Sequence, residues 1–465
     1  MIEKLTKIVA TIGPATESEE MIEKLILNGA NVLRFNTKHN TPEWHQSVIA
    51  RVKKIALKMQ VSISTLLDLQ GPEIRINLKI DEFKVSLDEV IVFTSDKNYQ
   101  GEKVVYIDQI VIDSLLIGHN ILLDNGYCEF RVVEKETNII RAKALVSCVV
   151  KQRKTMNIPS VTVDLPSLID RDYQQLDGII EGNVDYIALS FVRNFFDIEN
   201  LRMEMKKRNI RAEIIAKIET QKALDNLEEI IDGADAIMVA RGDLGIEVPY
   251  EELIYWQKKI IDLCRQKNKP VITATQMLKS MCENSKPTRA EVSDVANAIY
   301  DQTDAVMLSE ETAMGLYPIE AVQTQTKIAI FNEKKIINHS VDIINSTSVG
   351  SLSQAAFFIL QNTKQKFDAI ICLTNSGQTA KLIARFRPHL PIIAVTNNMR
   401  TCQNLPLVFG VYPYYVDCKK QEKWDSVSLK KFLIDKKIIS LNDKVLLLTG
   451  QNWFETGMTN NLAIL

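Results

Sequence analysis

The chain has 465 residues, with 56 Lys and Arg against 58 Asp and Glu, a formal net charge of −2, and 46% hydrophobic residues. At about 150 residues per domain this length predicts roughly three domains, and the charge balance argues against a sequence-wide basic field for nucleic acid or a membrane. The seven cysteines are scattered without C-x-x-C spacing, which is typical of a reducing compartment rather than of a disulfide framework or a structural zinc site. Because no apolar run approaches the ~20 residues of a membrane span or forms a signal peptide, we predict a cytoplasmic protein.

Short β-rich runs, apolar on both faces, alternate with helical stretches along much of the chain. Eight such runs cover residues 7–13, 31–36, 64–69, 186–191, 213–219, 236–243, 271–277 and 305–311. After the first run, Thr16-Glu17-Ser18-Glu19 is interpreted as a capping box that starts a helix. Successive strand–helix units of this kind predict an α/β fold, a (β/α)8 TIM barrel, with an open doubly wound sheet as the competing fold.

One gap interrupts this alternation. More than a hundred residues separate the third and fourth runs, and they carry alternating patterns without clear helices at 83–93, 103–110, 120–133 and 138–150. This predicts a small β-barrel lid domain inserted after the third strand. After residue 335 a new α/β pattern begins, which predicts a C-terminal open-sheet domain. The predicted boundaries are 1–70 and 154–335 for the barrel, 71–153 for the lid and 336–465 for the C-terminal domain.

Polar residues follow the predicted strands where a barrel places its chemistry, at the carboxyl ends. They include Arg34, Asn36, Asp68, Ser190, Lys217, Glu219, Arg241, Asp243, Thr275, Ser309 and Glu311. Any one of them could be a solvated strand cap. Because all of them face the same mouth, together they predict an active site.

The residue types at these ends indicate the class of reaction. Glu219 and Asp243 suit a hard divalent cation such as Mg²⁺. Lys217 precedes Glu219 by two residues, so both side chains leave the same face of the strand. A lysine beside a metal site, with Arg34 opposite, suits anion binding and stabilisation of charge on a transferred phosphoryl group or an enolate. The amides of Gly242 and Asp243 are interpreted as an anion cradle at a tight turn.

An ordered series of motifs along the whole chain resembles the pyruvate kinase family. The motifs are TKIVATIGPAT, NVLRFNTKH, LLDLQGPEIR, KTMNIPS, IIAKIET, IMVARGDLGIE, ITATQML, PTRAEVSDVANAIYDQTDAVMLSEETA and TNSGQTA. The resemblance implies Mg²⁺- or Mn²⁺-dependent transfer of a phosphoryl group from phosphoenolpyruvate to ADP, giving pyruvate and ATP in glycolysis. It also implies a homotetramer.

The resemblance also implies roles for individual residues. Glu219 and Asp243 would hold Mg²⁺, Lys217 would neutralise the transferring group, and Arg34 would bind the substrate phosphate. The substrate carboxylate would be oriented by the amides of Gly242 and Asp243 with the Thr275 hydroxyl. Nucleotide phosphates would lie near Asn36, His39, Arg75 and Lys154, and enolate protonation near Thr275, Ser309 and Glu311. The alternatives are that Ser309 and Glu311 only hold the eighth strand's loop and that Arg75 is a hinge ion pair.

The family's monovalent cation site, usually for K⁺, departs from the pattern here. Asn36, Asp68 and the carbonyl of Leu69 match its ligands, but Lys38 stands at the position of a serine ligand. An ammonium group at a cation-ligand position repels K⁺. Either the Lys38 ammonium substitutes for the ion, or Lys38 turns to solvent and the site binds K⁺ poorly.

Other departures from the family pattern are Gln70 after Asp68, Asn125 in the lid, and non-glycine residues at three glycine positions, namely Asn40, Ser160 and Glu310. Glu310 would be strained if its position needs a positive φ. These changes leave open a catalytically weakened paralogue that acts as an effector-binding or assembly protein. A Mg²⁺-dependent lyase or aldolase is a further alternative, against which the lid, Arg75 and Lys154 argue.

In the C-terminal domain, one loop follows a strand and opens a helix, as phosphate-binding loops do. The loop and the start of the helix are similar to the family's sugar-phosphate effector loop at Thr374, Ser376, Gly377 and Thr379, although the frequent arginine is Gln378 here. The alternative is a helix cap without a ligand.

Overall fold

The computed structural model describes residues 4–336, 347–417, 425–450 and 459–465. Eight parallel strands close into a barrel in which each strand pairs with its neighbours in sequence and the first pairs with the eighth. In chain order the strands are Lys7–Thr11, Val32–Asn36, Ser64–Asp68, Tyr186–Leu189, Glu213–Ile218, Ala236–Ala240, Val271–Ala274 and Ala305–Leu308. Their residues are almost all buried, because helices cover the outside and side chains fill the inside. The predicted (β/α)8 barrel is confirmed over the open sheet.

The α-helices of the barrel domain surround these strands, and two short ones follow strand ends directly. They are Glu19–Leu27, Pro42–Met59, Asp170–Asp177, Phe195–Lys207, Gln221–Asp225, Leu227–Gly233, Arg241–Glu247, Leu253–Gln266, Arg289–Tyr300, Glu310–Ala313 and Pro318–Glu333. The predicted capping box is wrong, because the first helix is capped by Ser18, whose side chain accepts from the Met21 amide at 3.3 Å. The Thr16 hydroxyl instead donates to the carbonyl of Thr312 at 2.9 Å.

The inserted β domain is confirmed and consists of a curled six-stranded sheet and a two-stranded sheet. Its strands are Glu82–Val85, Val90–Thr94, Val104–Tyr106, Asn120–Leu123, Cys128–Lys135, Ile139–Ala144, Cys148–Lys151 and Met156–Asn157. A short helix, Gln109–Ser114, was not predicted from the alternating pattern. The last strand pairs with Asn120–Leu123, so lid pairing continues to Asn157.

The C-terminal domain is an open five-stranded sheet with helices. The predicted open sheet is confirmed: the strands Ala369–Leu373, Ile392–Thr396, Val411–Tyr415 and Val445–Gly450 are parallel. An antiparallel edge strand, Thr459–Ile464, was not predicted. The α-helices are Ser348–Asn362, Gln378–Ala384, Met399–Asn404 and Ser426–Asp435. The sequence pattern also predicts the domain boundary within residues 336–350 and a helix over 424–437. Residues 337–346 and Trp424 lie outside the described residues.

The C-terminal domain closes the floor of the barrel, where the strands begin. Leu407 belongs to the same apolar cluster as the barrel interior. The Tyr186 hydroxyl donates to the carbonyl of Asn404 at 2.6 Å, and Lys7 Nζ donates to the carbonyl of Val411 at 2.6 Å. The opposite end, the mouth, is therefore the end that faces the lid. Within the described part of the chain, no helix is long and apolar enough to cross a membrane.

Candidate active site

A buried charge cluster joins the carboxyl ends of the second, third and fifth strands. Arg34 Nε lies 2.7 Å from Asp68 Oδ2, and Lys217 Nζ lies 3.4 Å from Asp68 Oδ1 and 2.9 Å from Glu219 Oε1. Lys217 Nζ also donates to the Ser190 hydroxyl at 2.7 Å. These side chains come together because they extend from the carboxyl ends of parallel strands that are held in register in a single barrel.

The charges in this cluster support one another. Burial acts to lower the pKa of Lys217, but Asp68, Glu219 and Asp243 outweigh it and raise that pKa above its usual value. Burial acts to raise the pKa of Asp68, but the positive charges of Lys217 and Arg34 outweigh it and lower that pKa. Lys217 is therefore an ammonium and Asp68 a carboxylate at neutral pH, although both are almost completely buried.

The carboxylate oxygens fit a divalent cation. Asp68 Oδ1 and Glu219 Oε1 are buried and contact the Lys217 ammonium, at 3.4 and 2.9 Å, while the other oxygen of Glu219 accepts from the Phe191 amide at 2.7 Å. Burial and the charge of Asp243 raise the pKa of Glu219 against the opposing effect of Lys217, and a cation between the two carboxylates would relieve that repulsion. Among the described residues no group of three or more His, Cys, Asp and Glu side chains is placed to hold a metal ion. Two carboxylates with substrate oxygens suit Mg²⁺ better than a cage made only of protein ligands.

The sixth and seventh strand ends meet at a strained turn. Asp243 lies in the first turn of the helix Arg241–Glu247, so the predicted tight turn at Gly242-Asp243 is wrong. The Gly242 amide donates to the Thr275 hydroxyl at 2.8 Å, and that hydroxyl donates to the carbonyl of Ala274 at 2.7 Å. Thr275 and Gln276 have φ values of 71° and 55°, and a β-branched residue is rarely found in this region. Such strain persists only where the surrounding structure enforces it, and it is typical of functional sites.

Arg241 enforces this turn; the sequence placed it at a strand end but assigned it no role. Its guanidinium forms two bonds of 2.7 Å to the Asp294 carboxylate and donates to the carbonyls of Thr275 and Ala274 at 2.8 and 3.2 Å. Because these partners lie far along the chain, the motif around Arg241 indicated a charged residue but not what it contacts.

Glu311 supports the loops of the seventh and eighth strands. Its carboxylate accepts from the amides of Leu278 and Ser309 at 3.1 and 2.8 Å, and its side chain is buried. These contacts favour the supporting role over direct participation. Glu310 lies in a right-handed helical turn and pairs with Lys279, so no strain of the expected kind arises there.

Of the residues predicted near the nucleotide, Arg75 and Lys154 lie at the lid hinge and are paired with neighbouring residues there. Arg75 donates to Glu73 at 2.7 Å and to the carbonyl of Arg153 at 2.9 Å, as a hinge ion pair would. Lys154 Nζ donates to Asp124 at 2.8 Å, and His39 is exposed. A cleft between lid and barrel is lined by Glu73, Asn157, Asp243 and Glu247, among others.

The Lys38 ammonium lies close to the residues of the predicted monovalent cation site. Lys38 Nζ is paired with the buried Glu73 carboxylate, and the Lys38 amide donates to Asn36 Oδ1 at 3.1 Å. Asn36 is in register with Asp68. The carbonyl of Leu69 accepts from the Ser190 hydroxyl at 2.7 Å, a hydroxyl that the sequence placed at a strand end without a role.

Three further departures from the family pattern lie at positive φ. Asn40, Asn125 and Ser160 have φ values of 59°, 58° and 66°. Asparagine tolerates this region better than most residues, whereas serine at such a position is more strained. The backbone amide of Gln70 donates to the buried Asp172 carboxylate at 2.9 Å, a supporting contact that was not predicted.

The predicted effector residues lie together at the start of the helix Gln378–Ala384. The Gly377 amide, at φ 82°, donates to the Thr374 hydroxyl at 2.9 Å, and the Thr379 hydroxyl is 2.9 Å from that of Thr459. Ser376 lies beside them in the loop. Two of the three hydroxyls are thus already engaged within the domain.

A lidded (β/α)8 barrel with buried cations and carboxylates at its mouth is typical of an enzyme that binds phosphate groups there. The family descriptions "Pyruvate kinase, barrel domain" and "Pyruvate kinase, alpha/beta domain" match residues 3–322 and 351–465. The chain belongs to the pyruvate kinase family.

Individual pyruvate kinases match this chain over nearly its whole length. The chain is 40% identical to pyruvate kinases of Staphylococcus aureus (strain MRSA252) over 471 residues and Staphylococcus epidermidis (strain ATCC 12228 / FDA PCI 1200) over 468, in each case across 99% of this chain and 80% of the relative. A crystal structure of a pyruvate kinase from Cryptosporidium parvum matches with a TM-score of 0.89 at 29% identity, covering 100% of this chain and 96% of that one.

Proposed function

We propose that the chain transfers the phosphoryl group of phosphoenolpyruvate to ADP, giving pyruvate and ATP in glycolysis. The observation that carries this proposal is the buried Lys217 ammonium, held by Asp68, Glu219 and Ser190 beside Arg34 at the barrel mouth. Two cations fixed in a buried site stabilise a phosphoryl group in transit more strongly than exposed ones, because they need no reorganisation. Nothing favours the weakened paralogue, since this cluster is intact.

The reaction breaks the bond between phosphorus and the enol oxygen of phosphoenolpyruvate while a terminal oxygen of ADP bonds to phosphorus. In this proposal Arg34 binds the phosphoryl group and Lys217 offsets its charge as it passes to ADP. Glu219 and Asp243 would hold Mg²⁺ or Mn²⁺, which supplies positive charge to the phosphoryl and enolate oxygens when bound. The enolate left behind gains one proton at carbon and becomes pyruvate.

The strained turn would orient the substrate carboxylate. The Thr275 hydroxyl is fixed by the Gly242 amide, so its direction is set before substrate binds. We propose that proton delivery to the enolate occurs near Thr275 and Ser309, with Glu311 as a positioning residue. Asn36, His39, Arg75 and Lys154 would meet the nucleotide phosphates when the lid closes, exchanging their present partners.

Several finer features are also proposed. Lys38 would provide the positive charge that K⁺ supplies elsewhere in the family, with Asn36, Asp68 and Leu69 as the remaining elements of that site. Thr374, Ser376, Gly377 and Thr379 would bind a sugar-phosphate effector. A homotetramer is proposed from the family resemblance, and a cytoplasmic location from the scattered cysteines. The six cysteines within the described residues are free thiols.

A coupled assay for ADP-dependent pyruvate formation tests the main proposal. Lys217→Met should lower kcat by at least about a hundredfold with an unchanged circular dichroism spectrum, because it removes the charge on the transferring group. Lys206→Met, a change at an exposed lysine, is the matched control. A folded wild-type chain that forms no pyruvate with ADP and Mg²⁺ would contradict the proposal and favour the paralogue.

A further inference from the structure

The loop 37–40 follows the second barrel strand and lies on the side of the mouth assigned to the nucleotide. Its near end is fixed to the third strand, because the Thr37 hydroxyl and amide both donate to the carbonyl of Asp68, at 2.9 and 3.0 Å. Its far end is Asn40, whose φ of 59° lies in the left-handed region. A residue with such a φ needs neighbours that hold the turn in place.

The far end is held by Arg171, on the first helix after the chain returns from the lid, Asp170–Asp177. Arg171 Nε donates to the carbonyl of Thr37 at 2.6 Å, and Nη2 donates to the carbonyl of Asn40 at 2.8 Å. A guanidinium presents its N–H donors on separate nitrogens, whereas all donors of an ammonium share one nitrogen. A single arginine side chain therefore spans the loop from its first residue to its last.

A third carbonyl, between these two ends, is held as well. His45 Nε2 lies 3.0 Å from the carbonyl of His39, and since a carbonyl only accepts, Nε2 carries the proton. Burial and the positive charge of Arg171 lower the pKa of His45 to about 4, so its buried ring is neutral at pH 7. The loop is thus bound through its carbonyls by two side chains, and Arg171 binds both ends.

The next residue, Asp172, anchors the same helix to the chain that leads out to the lid. Its buried carboxylate accepts from the amides of Gln70 and Gly71 at 2.9 and 3.2 Å. Both amides directly follow the third barrel strand and its carboxyl end. Arg171 therefore projects from a helix that is itself fixed to the barrel mouth.

We propose that Arg171 is a positioning residue for ADP, which keeps His39 and Lys38 in place at the nucleotide side of the mouth. This inference rests on the proposed function, which assigns His39 to the nucleotide phosphates. The contacts of Arg171 lie on the loop after the second strand, whereas the carboxylate of phosphoenolpyruvate is assigned to the turn at Thr275. Loss of Arg171 should therefore weaken ADP binding more than phosphoenolpyruvate binding.

Steady-state kinetics with each substrate varied test this role. Arg171→Met should raise the KM for ADP by about tenfold and change that for phosphoenolpyruvate by less than about twofold, because only the loop 37–40 loses its anchor. Arg171→Lys keeps the charge but not the contact with two carbonyls, so its KM for ADP should lie between those of Arg171→Met and wild type. Arg211→Met, at an arginine whose side chain is 73% exposed, is the matched control and should behave as wild type. If Arg171→Met does not fold, Arg171→Lys decides.

Hydrogen exchange of the backbone amides measures the order of the loop without any reaction. The amides of Lys38 and His39 bond within the loop segment and should exchange faster in Arg171→Met. The amides of Gln70 and Gly71 should exchange as in wild type, because their acceptor is unchanged. Equal acceleration at all four amides, or none at Lys38 and His39, would overturn the proposal.

Isothermal titration with ADP and Mg²⁺ gives the nucleotide affinity of each variant without the transfer reaction. A wild-type chain that binds ADP but forms no pyruvate would reject the proposed function, and the comparison of affinities would still test Arg171. An ADP affinity and KM unchanged in Arg171→Met, or fully restored by Arg171→Lys, would overturn the positioning role. Equal losses for ADP and phosphoenolpyruvate would overturn it too.

Discussion

Lys38 places a covalently attached positive charge just beyond the carboxyl end of the second strand. Its ammonium is paired with Glu73, which is buried, and its field is one of those that lower the pKa of Asp68 after those of Lys217 and Arg34. A K⁺ ion at the same place would be repelled by this ammonium. Lys38 thus pairs with Glu73 rather than turning to solvent, which supports the proposal that its ammonium substitutes for the ion.

We expect wild type to keep most of its activity when K⁺ is replaced by tetramethylammonium. Lys38→Ser should lose at least about tenfold in tetramethylammonium and recover in K⁺, because it restores an oxygen ligand and removes the competing charge. Rates of pyruvate formation at equal ionic strength measure both effects. Lys54→Ser, at an exposed lysine, controls for loss of charge in general. Complete loss of wild-type activity without K⁺ would reject this role for Lys38.

Thr275 has a hydroxyl that the proposed mechanism uses and a backbone conformation that is strained for threonine. Two substitutions separate the effect of the hydroxyl on catalysis from the effect of the strain on stability. Thr275→Ala and Thr275→Gly both remove the hydroxyl, so both should lose catalytic efficiency to a similar extent. Glycine adopts φ near 71° without strain, so Thr275→Gly should be more stable than Thr275→Ala by about 1 kcal/mol. Calorimetry and steady-state kinetics on the pair measure this. Equal melting temperatures would show that the turn carries no strain.

At the scale of elements, the site depends on how the sixth and seventh strands are joined. Arg241 begins the helix after the sixth strand and bonds both the turn after the seventh strand and Asp294 on the helix Arg289–Tyr300. A bidentate arginine has a planar fork that lysine lacks. The helix, the turn and the second helix are thus fixed as one unit at the barrel mouth.

Arg241→Lys should therefore lower kcat/KM for phosphoenolpyruvate by about ten- to a hundredfold through misplacement of Thr275. As a positioning residue, Arg241 should affect the KM for phosphoenolpyruvate more than that for ADP. Steady-state kinetics with each substrate varied measure the split. Arg289→Lys, at an exposed arginine on the partner helix, should be silent. Equal effects on both substrates, together with a lower melting temperature, would indicate general unfolding instead.

The same elements explain how far the sequence predicts this molecule. The runs that are apolar on both faces identified all eight barrel strands. The predicted sixth and eighth strands continued past Ala240 and Leu308, where the observed strands end and short helices follow. The apolar pattern cannot locate such an end, because the first helical turn there is set by contacts with other strands. Glu311 contacts the Leu278 amide, 33 residues away, so a loop-supporting role could only be an alternative. The edge strand Thr459–Ile464 begins with three polar residues and is mostly exposed, and it therefore lacks the apolar run that marks a buried strand.

For the whole molecule, the barrel floor matters because the C-terminal domain seals it with buried polar groups. Lys4 Nζ donates to Asn31 Oδ1 at 2.6 Å and to the carbonyl of Thr6 at 2.9 Å, and the carbonyl of Lys4 accepts from the Tyr412 hydroxyl of the C-terminal domain. Glu333 accepts from the amides of Leu5 and Thr6 at 2.9 and 2.6 Å. The N-terminal segment is thus packed between the two domains.

This packing makes stability depend on pH through Lys4. Burial lowers the pKa of Lys4 to about 7, against the opposing charge of Glu333, so the folded state binds fewer protons than the unfolded state between pH 7 and 10.5. Stability rises with pH wherever the unfolded state binds more protons, so wild type should gain stability relative to Lys4→Met as pH rises from 7 to 9, by about 2 kcal/mol. Differential scanning calorimetry of both proteins at each pH measures this gain as a few degrees in melting temperature. Lys54→Met, at an exposed lysine, should follow wild type at both pH values. If wild type and Lys4→Met instead change in parallel, Lys4 keeps its proton in the folded protein, and the barrel floor holds a charge that Glu333 must balance.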